Sequence, residues 1–241
     1  MADPTDRWAD LDAPYPVRVN VDPAYSRRDR LTTAFRLILA IPHLILVGGP
    51  GAVFFWWMWG SGEHRYDWGA GGGVLGAVAG VVTLIAWFAI LITGRYPEGM
   101  WRFSVGTLRW QARVNSYLYF LRDEYPPFNF DDPYPAQLEL AYPTSLSRLL
   151  IFIKWLLIIP HTFVLYFVQI AAGVVWFIAF FAILITGRYP EGMFRFMVGV
   201  LRWSNRVSAY SLLLTDDYPP FTLDSESGYA AGSTTPSVSY Q

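Results

Sequence analysis

The chain has no cysteine, which excludes a disulfide, a thiolate nucleophile and a cysteine metal site. Histidine is scarce, at three residues, and none stands at ligand spacing from the acidic pairs Asp123-Glu124 and Asp216-Asp217, so no metal is expected. Charge is thin as well. Asp, Glu, Lys and Arg make up 15% of 241 residues against 54% hydrophobic residues, which points away from an ordinary soluble core. Phosphate-binding loops, nucleophile elbows, zinc motifs and nucleic-acid signatures are also lacking. The expectation is a non-enzymatic protein without a cofactor and without a nucleic-acid partner.

What the sequence does have is long apolar runs. Leu31 to Trp59 carries only Arg36 and His43 as ionisable groups, and Val74 to Thr93 carries none. Each is long enough to cross the ~30 Å of hydrocarbon in a bilayer. A third run, Leu149 to Thr186, carries only Lys154 and His161. Its length suits two spans joined by a tight turn near Gln169 to Gly173, which makes four transmembrane helices; the alternative for this second pair is a re-entrant hairpin that does not fully cross. With the spans so placed, Arg65 is the only basic residue in an outer loop, so the positive-inside rule puts both termini in the cytoplasm.

The phrase FAILITGRYPEGM occurs twice, at Phe88 to Met100 and Phe181 to Met193. At the same offset of 93, 29 of the 41 positions from Phe88 to Phe128 are identical, so the chain is a tandem duplication. Upstream, Arg30, Arg36 and Ile41-Pro42-His43 match Arg148, Lys154 and Ile159-Pro160-His161 at offset 118, so copy 1 holds 25 extra residues. They fall in an aromatic-flanked outer loop. Each copy reads as an alternating segment, a helical hairpin in the membrane and an amphipathic helix, followed by DEYPPFNFD or DDYPPFTLD. Val17 to Asp22 and Gln137 to Tyr142 have strand periodicity, as do PFNFD and PFTLD, and these pieces are expected to pair in a small cytoplasmic sheet. The organisation is therefore a disordered lead at 1–14, copy 1 at 15–132, copy 2 at 133–224 and a disordered tail at 225–241. The fold class is a mainly α membrane protein: two helical hairpins, two cytoplasmic amphipathic helices and a small β-sheet. The pseudo-twofold axis should run along the membrane normal.

The TGRYPEG segment reads as a membrane-exit elbow. Gly94 and Gly187 suit the left-handed position past a helix end, and Arg95 and Arg188 can reach headgroups. Tyr96 and Tyr189 fit an interfacial belt, Pro97 and Pro190 a first helical position, and Glu98 and Glu191 the positive end of the helix dipole. In the helix that follows, Arg109 and Arg113 lie within ~20° of Arg102, one on either side, at 100° per residue. Arg195, Arg202 and Arg206 repeat them. Such a basic amphipathic helix is expected on the membrane surface, with the six arginines holding lipid phosphates or a partner's acidic groups.

His43 and His161 are expected within the membrane, each after a proline that frees a helix carbonyl which the imidazole could bond. Gly72, Gly76 and Gly80 form a ladder suited to close helix packing.

With ILITGRYPEGM and the DEYPPF/DDYPPF endings, the chain resembles a family of bacterial integral membrane proteins defined only as a domain of unknown function. The resemblance covers about residues 15 to 224. It implies an integral membrane location, expected to be the bacterial cytoplasmic membrane, and brings no catalytic residues. The expected role is an accessory or scaffold protein that binds a membrane protein complex or anionic membrane lipids. The alternative is a lipid-handling or small-solute transport protein with a site between the copies, near His43 and His161.

Overall fold

The computed structural model describes residues 15–22, 28–49 and 73–224. The lead, the tail, Arg27, Gly72 and nearly all of the outer loop with Arg65 lie outside these residues. Among the described residues the chain is mainly helical. The order is β1 (Val17–Val21), α1 (Arg30–Val47), α2 (Val74–Thr93), α3 (Glu98–Leu118), β2 (Ala136–Leu140), α4 (Leu150–Thr186) and α5 (Glu191–Ser211).

One expectation is overturned in α4. No turn interrupts Gln169 to Gly173, and a single 37-residue helix runs through it, about 55 Å along its axis. The segment lacks a proline or a charge, and a reversal there would strip backbone groups of partners among apolar side chains. The helix also repeats a buried stripe in steps of three, four and seven: Ile151, Lys154, Ile158, His161, Leu165, Ala172, Ala179 and Ile183. A helix bearing one continuous stripe gains packing along its whole length, which a hairpin would divide.

Copy 1 builds the same stripe from two helices. Thr33, Arg36, Ala40, His43 and Val47 of α1 and Ala79, Ala86 and Ile90 of α2 are buried at positions equivalent to those of α4, and Gly76 is buried where α4 has the half-buried Gln169. Gly48 and Gly73, which both correspond to Tyr166, meet in space: a methyl group on Gly73 would lie 2.5 Å from the Gly48 nitrogen. Thus α1 and α2 stand for the two halves of α4, and the extra residues leave the helix at its midpoint. Neither copy is the expected hairpin.

The amphipathic helices are also placed differently. Instead of lying on a surface, α3 and α5 form the centre of the molecule, packed on one another and buried along most of their length. Pro97 and Pro190 are the caps just before them, one position earlier than expected, and Glu98 and Glu191 open the first turns. Each helix ends on a left-handed residue that is not glycine, Phe120 at φ 60° and Leu213 at φ 61°. Their apolar side chains are buried, and that burial offsets the conformational cost. The long helices cover one side of the α3–α5 pair: α1 and α2 pack on α3, and α4 packs on α5.

The sheet packs on this pair as well. β1 and β2 run antiparallel about the pair Val19 and Leu138, with Val17, Val19, Val21, Ala136, Leu138 and Leu140 turned into the core. β2 of copy 2 rests on α3 of copy 1, and β1 of copy 1 on α5 of copy 2. PFNFD and PFTLD, expected as further strands, are irregular; their backbone carbonyls are taken by arginine side chains.

Candidate membrane-facing site

The DEYPPF and DDYPPF endings fold back along the long helices as clasps. Asp123 pairs with Arg36 at 2.6 Å, the Tyr125 hydroxyl donates to the Leu39 carbonyl at 3.0 Å, and Phe128 stacks on His43 at 4.0 Å. Copy 2 repeats this with Asp216 on Lys154 at 2.7 Å, Tyr218 on Leu157 at 3.2 Å and Phe221 on His161 at 3.8 Å. Three successive turns of helix are gripped each time. The tyrosines bond the carbonyls three residues before Pro42 and Pro160, one along from those that the prolines free. Trp110 and Trp203 donate their indole N–H to Nδ1 of His43 and His161 at 3.1 and 3.2 Å. Each histidine thus sits in its own copy's aromatic packing, not between the copies. Arg28 adds a second ion pair to Asp123 at 3.4 Å and donates to the Leu121 carbonyl. Burial lowers its pKa, and the Asp123 charge counters part of that shift.

The six stripe arginines divide into three kinds. Arg113 and Arg206 are buried and donate to the carbonyls of Asn129 and Phe130, and of Thr222 and Asp224. Burial lowers the Arg113 pKa, followed by the charge of Arg109. Arg109 and Arg202 are half-buried and donate to the Leu138 and Val19 carbonyls, each to the strand of the other copy. Only Arg102 and Arg195 stand out, 73% and 72% exposed, paired with Glu98 and Glu191 one turn earlier. Spacing alone could not separate these fates, because the partners are carbonyls far along the chain.

The elbows keep part of their expected geometry. Gly94 and Gly187 are left-handed, at φ 71° and 70°. Tyr96 and Tyr189 do not form an interfacial belt; both are buried, with hydroxyls on Ser104 and on the Tyr119 carbonyl. Arg95 and Arg188 are exposed. Beside each elbow comes an exposed arginine that the sequence did not assign. Arg148 Nε lies 3.3 Å from where a Gly94 methyl group would be, and Arg30 Nε lies 3.4 Å from the same point at Gly187. Backbone bonds hold these junctions, Leu146 N–H to the Gly94 carbonyl and Arg28 N–H to the Gly187 carbonyl. The end of each long helix system therefore meets the start of the other, so each elbow has one arginine from the opposite copy, Arg148 or Arg30, one next to its glycine in the chain, Arg95 or Arg188, and one about a turn into the helix that follows, Arg102 or Arg195. Gly76, in the expected ladder, packs in the buried stripe of α2, while Gly80 is half-buried.

The outer sides of the long helices are apolar and uncovered. Phe35, Ile38, Ile45, Val81, Phe88, Phe163, Phe167, Val174 and Phe177 are among the exposed side chains, and α3 and α5 expose no large apolar residue. From Leu37 to Val47, Val74 to Thr93 and Trp155 to Thr186 there is no Asp, Glu, Lys or Arg. A continuous apolar face on this scale exceeds what a soluble monomer exposes.

Three helices long and apolar enough to cross a membrane, on a buried two-helix centre capped by a small sheet, are consistent with a membrane protein of the mainly helical class. The chain belongs to the family described as "Domain of unknown function (DUF4389)", which it matches over residues 71–129 and 148–222, more than half of its length. The first stretch contains α2–α3 and the second α4–α5, so in copy 2 the match also takes in the half of α4 that α1 represents in copy 1. No curated protein and no solved structure matches the chain.

Proposed function

We infer that the protein is a non-enzymatic membrane accessory protein. It embeds the apolar sides of α1, α2 and α4 in lipid and holds anionic headgroups, or the acidic groups of a membrane partner complex, at the two arginine groups beside the elbows. The observation that carries this reading is the uncovered apolar face with exposed arginines at its ends. Arginine matches phosphate and carboxylate with paired donors, and next to lipid it can lay its stem on apolar surface while its head reaches the phosphates. Arg102 and Arg195 remain from the six-arginine stripe; Arg30, Arg95, Arg148 and Arg188 join them. Transport between the copies has less to support it, since each imidazole is already stacked and hydrogen-bonded within its own copy.

The test is co-flotation of the purified protein with vesicles of phosphatidylcholine alone or mixed with phosphatidylglycerol. Recovery should rise several-fold with the anionic lipid, and changing the six exposed arginines to Gln should remove the rise. Equal recovery on both vesicles by the unaltered protein would refute headgroup selection. A protein that stays off both kinds of vesicle would refute membrane embedding.

A further inference from the structure

We propose that the long helices lie within one leaflet and do not cross the bilayer. This rests on the membrane-embedding reading above and goes on to say how the membrane is entered.

A spanning helix must carry at least one of its ends away from the polar layer at the other. In α4 both ends are tied to residues beside the α3–α5 centre. At the start, Lys154 bonds the Thr215 carbonyl and pairs with Asp216, and the Ser147 N–H donates to Asp216 at 2.6 Å. At the end, the Gly187 carbonyl accepts from Arg28 N–H at 2.9 Å. The middle is tied down as well. The Gln169 amide donates to Ser204 at 3.1 Å and accepts from Tyr119 at 3.3 Å, and the Trp176 indole donates to the Leu118 carbonyl at 2.8 Å. Lys154, His161, Gln169 and Trp176 fall at steps of seven or eight, which keeps them on one face, and each bonds α3, α5 or the residues just after those helices. The helix is thus fastened to the polar centre about every two turns, from its first turns to beyond its midpoint.

The centre in turn is polar on its other side. Asp22 flanks the sheet, Arg122 donates to its carbonyl and pairs with Glu124, and Asp131 lies beside Arg109 where that arginine bonds β2. Together these make a slab with one apolar side and one charged side. A bilayer-spanning body needs an apolar belt between two polar ends, whereas a slab matches a single interface, with hydrocarbon below and water above. The arginine groups at both ends of the long helices then sit at one headgroup level.

The natural lack of cysteine makes the test direct. Single cysteines replace the exposed residues Ile153, Phe167, Ile178, Arg148 and Arg188, all outside the buried stripe. Spin labels on the first three, in vesicles, report depth from relaxation by oxygen and by a water-soluble nickel chelate. An impermeant maleimide then tests Arg148→Cys and Arg188→Cys from each side. The expected result is that all three spin labels lie in lipid within one leaflet, ~15 Å or less below the phosphates, and that both cysteines react from the same side only. Labelling of Arg148→Cys and Arg188→Cys from opposite sides would overturn the proposal in favour of one crossing. Same-side labelling with Phe167→Cys in water on the far side would overturn it in favour of a hairpin. Water exposure of all three spin labels on protein that stays off vesicles would instead remove the membrane reading itself.

Discussion

Two glycines of α5 should respond in opposite ways to a methyl group. At Gly199 the added carbon would sit 2.7 Å from both the Leu223 Cβ and its carbonyl oxygen, while at Gly192 nothing lies within 4 Å. Gly199→Ala is expected to destabilise the protein by about 1–3 kcal/mol, through forced displacement of backbone. Gly192→Ala should be neutral or stabilising by up to about 1 kcal/mol, through helix propensity. Thermal unfolding of the two variants in one detergent compares them. A second prediction at this scale concerns Glu124. Burial pushes its carboxyl up, but the hydrogen bonds and charge of Arg122, together with backbone hydrogen bonds at Asp123 and Glu124, outweigh that and hold it below its ordinary value. A carboxyl lowered in the folded state adds stability above its unfolded pKa, ~4.3, and that stability disappears as pH falls through the folded value. Melting temperature should therefore drop below about pH 4.5, and Glu124→Gln should flatten part of the drop. Unchanged slopes in the two proteins would count against the Arg122 pairing. The glycine of the elbow was legible in the sequence because its left-handed backbone is a local need. The burial of Arg113 and Arg206 was not, because their partners are carbonyls sixteen to eighteen residues away.

Among the elements, α4 shows how a periodic apolar run can be misdivided. Its length alone suggested two spans, yet its residues keep one stripe in register from Ile151 to Ile183. The signal was available in the spacing of Lys154, His161, Gln169 and Ala172, which outweighs a length rule once the helix need not cross a bilayer. The correspondence with α1 and α2 carries a prediction. Deleting residues 49–73 joins Gly48 to Val74 and restores the register of α4, with Gly48 in the place of Tyr166. The variant should fold, bind vesicles like the full chain and gain helical signal per residue in circular dichroism. Loss of folding would show that α1 and α2 are not two halves of one helix. The strands were partly legible: alternation located β1 and β2 to within a residue or two. PFNFD and PFTLD have the same alternation, but histidine stacking and the arginine bonds compete for them and win.

At the scale of the whole molecule the copies are interlocked. Each strand rests on the other copy's helix, and each elbow bonds the start of the other copy's long helix. Copy 2 alone, residues 133–224, would leave its strand unpaired and the α3-facing side of α5 bare. Expressed by itself, it should be found as a dimer related by a true twofold axis, or unfolded, and not as a folded monomer. Sedimentation in detergent gives the mass, and circular dichroism tells the dimer from an unfolded chain. A folded monomer would contradict the exchanged arrangement.

By itself the sequence determined what local chemistry dictates. Identical words established the duplication, apolar runs marked the lipid-seeking helices, and the glycine and proline of TGRYPEG fixed a helix end and the next helix start. Tertiary structure alone decided which arginines are spent on carbonyls, that the basic helices are the core, and that Arg30 and Arg148 stand beside the opposite copy's elbow. The physical reason is range. Periodicity and capping act within a few residues along the chain, whereas these pairings depend on the two copies packing against each other, which no single segment encodes.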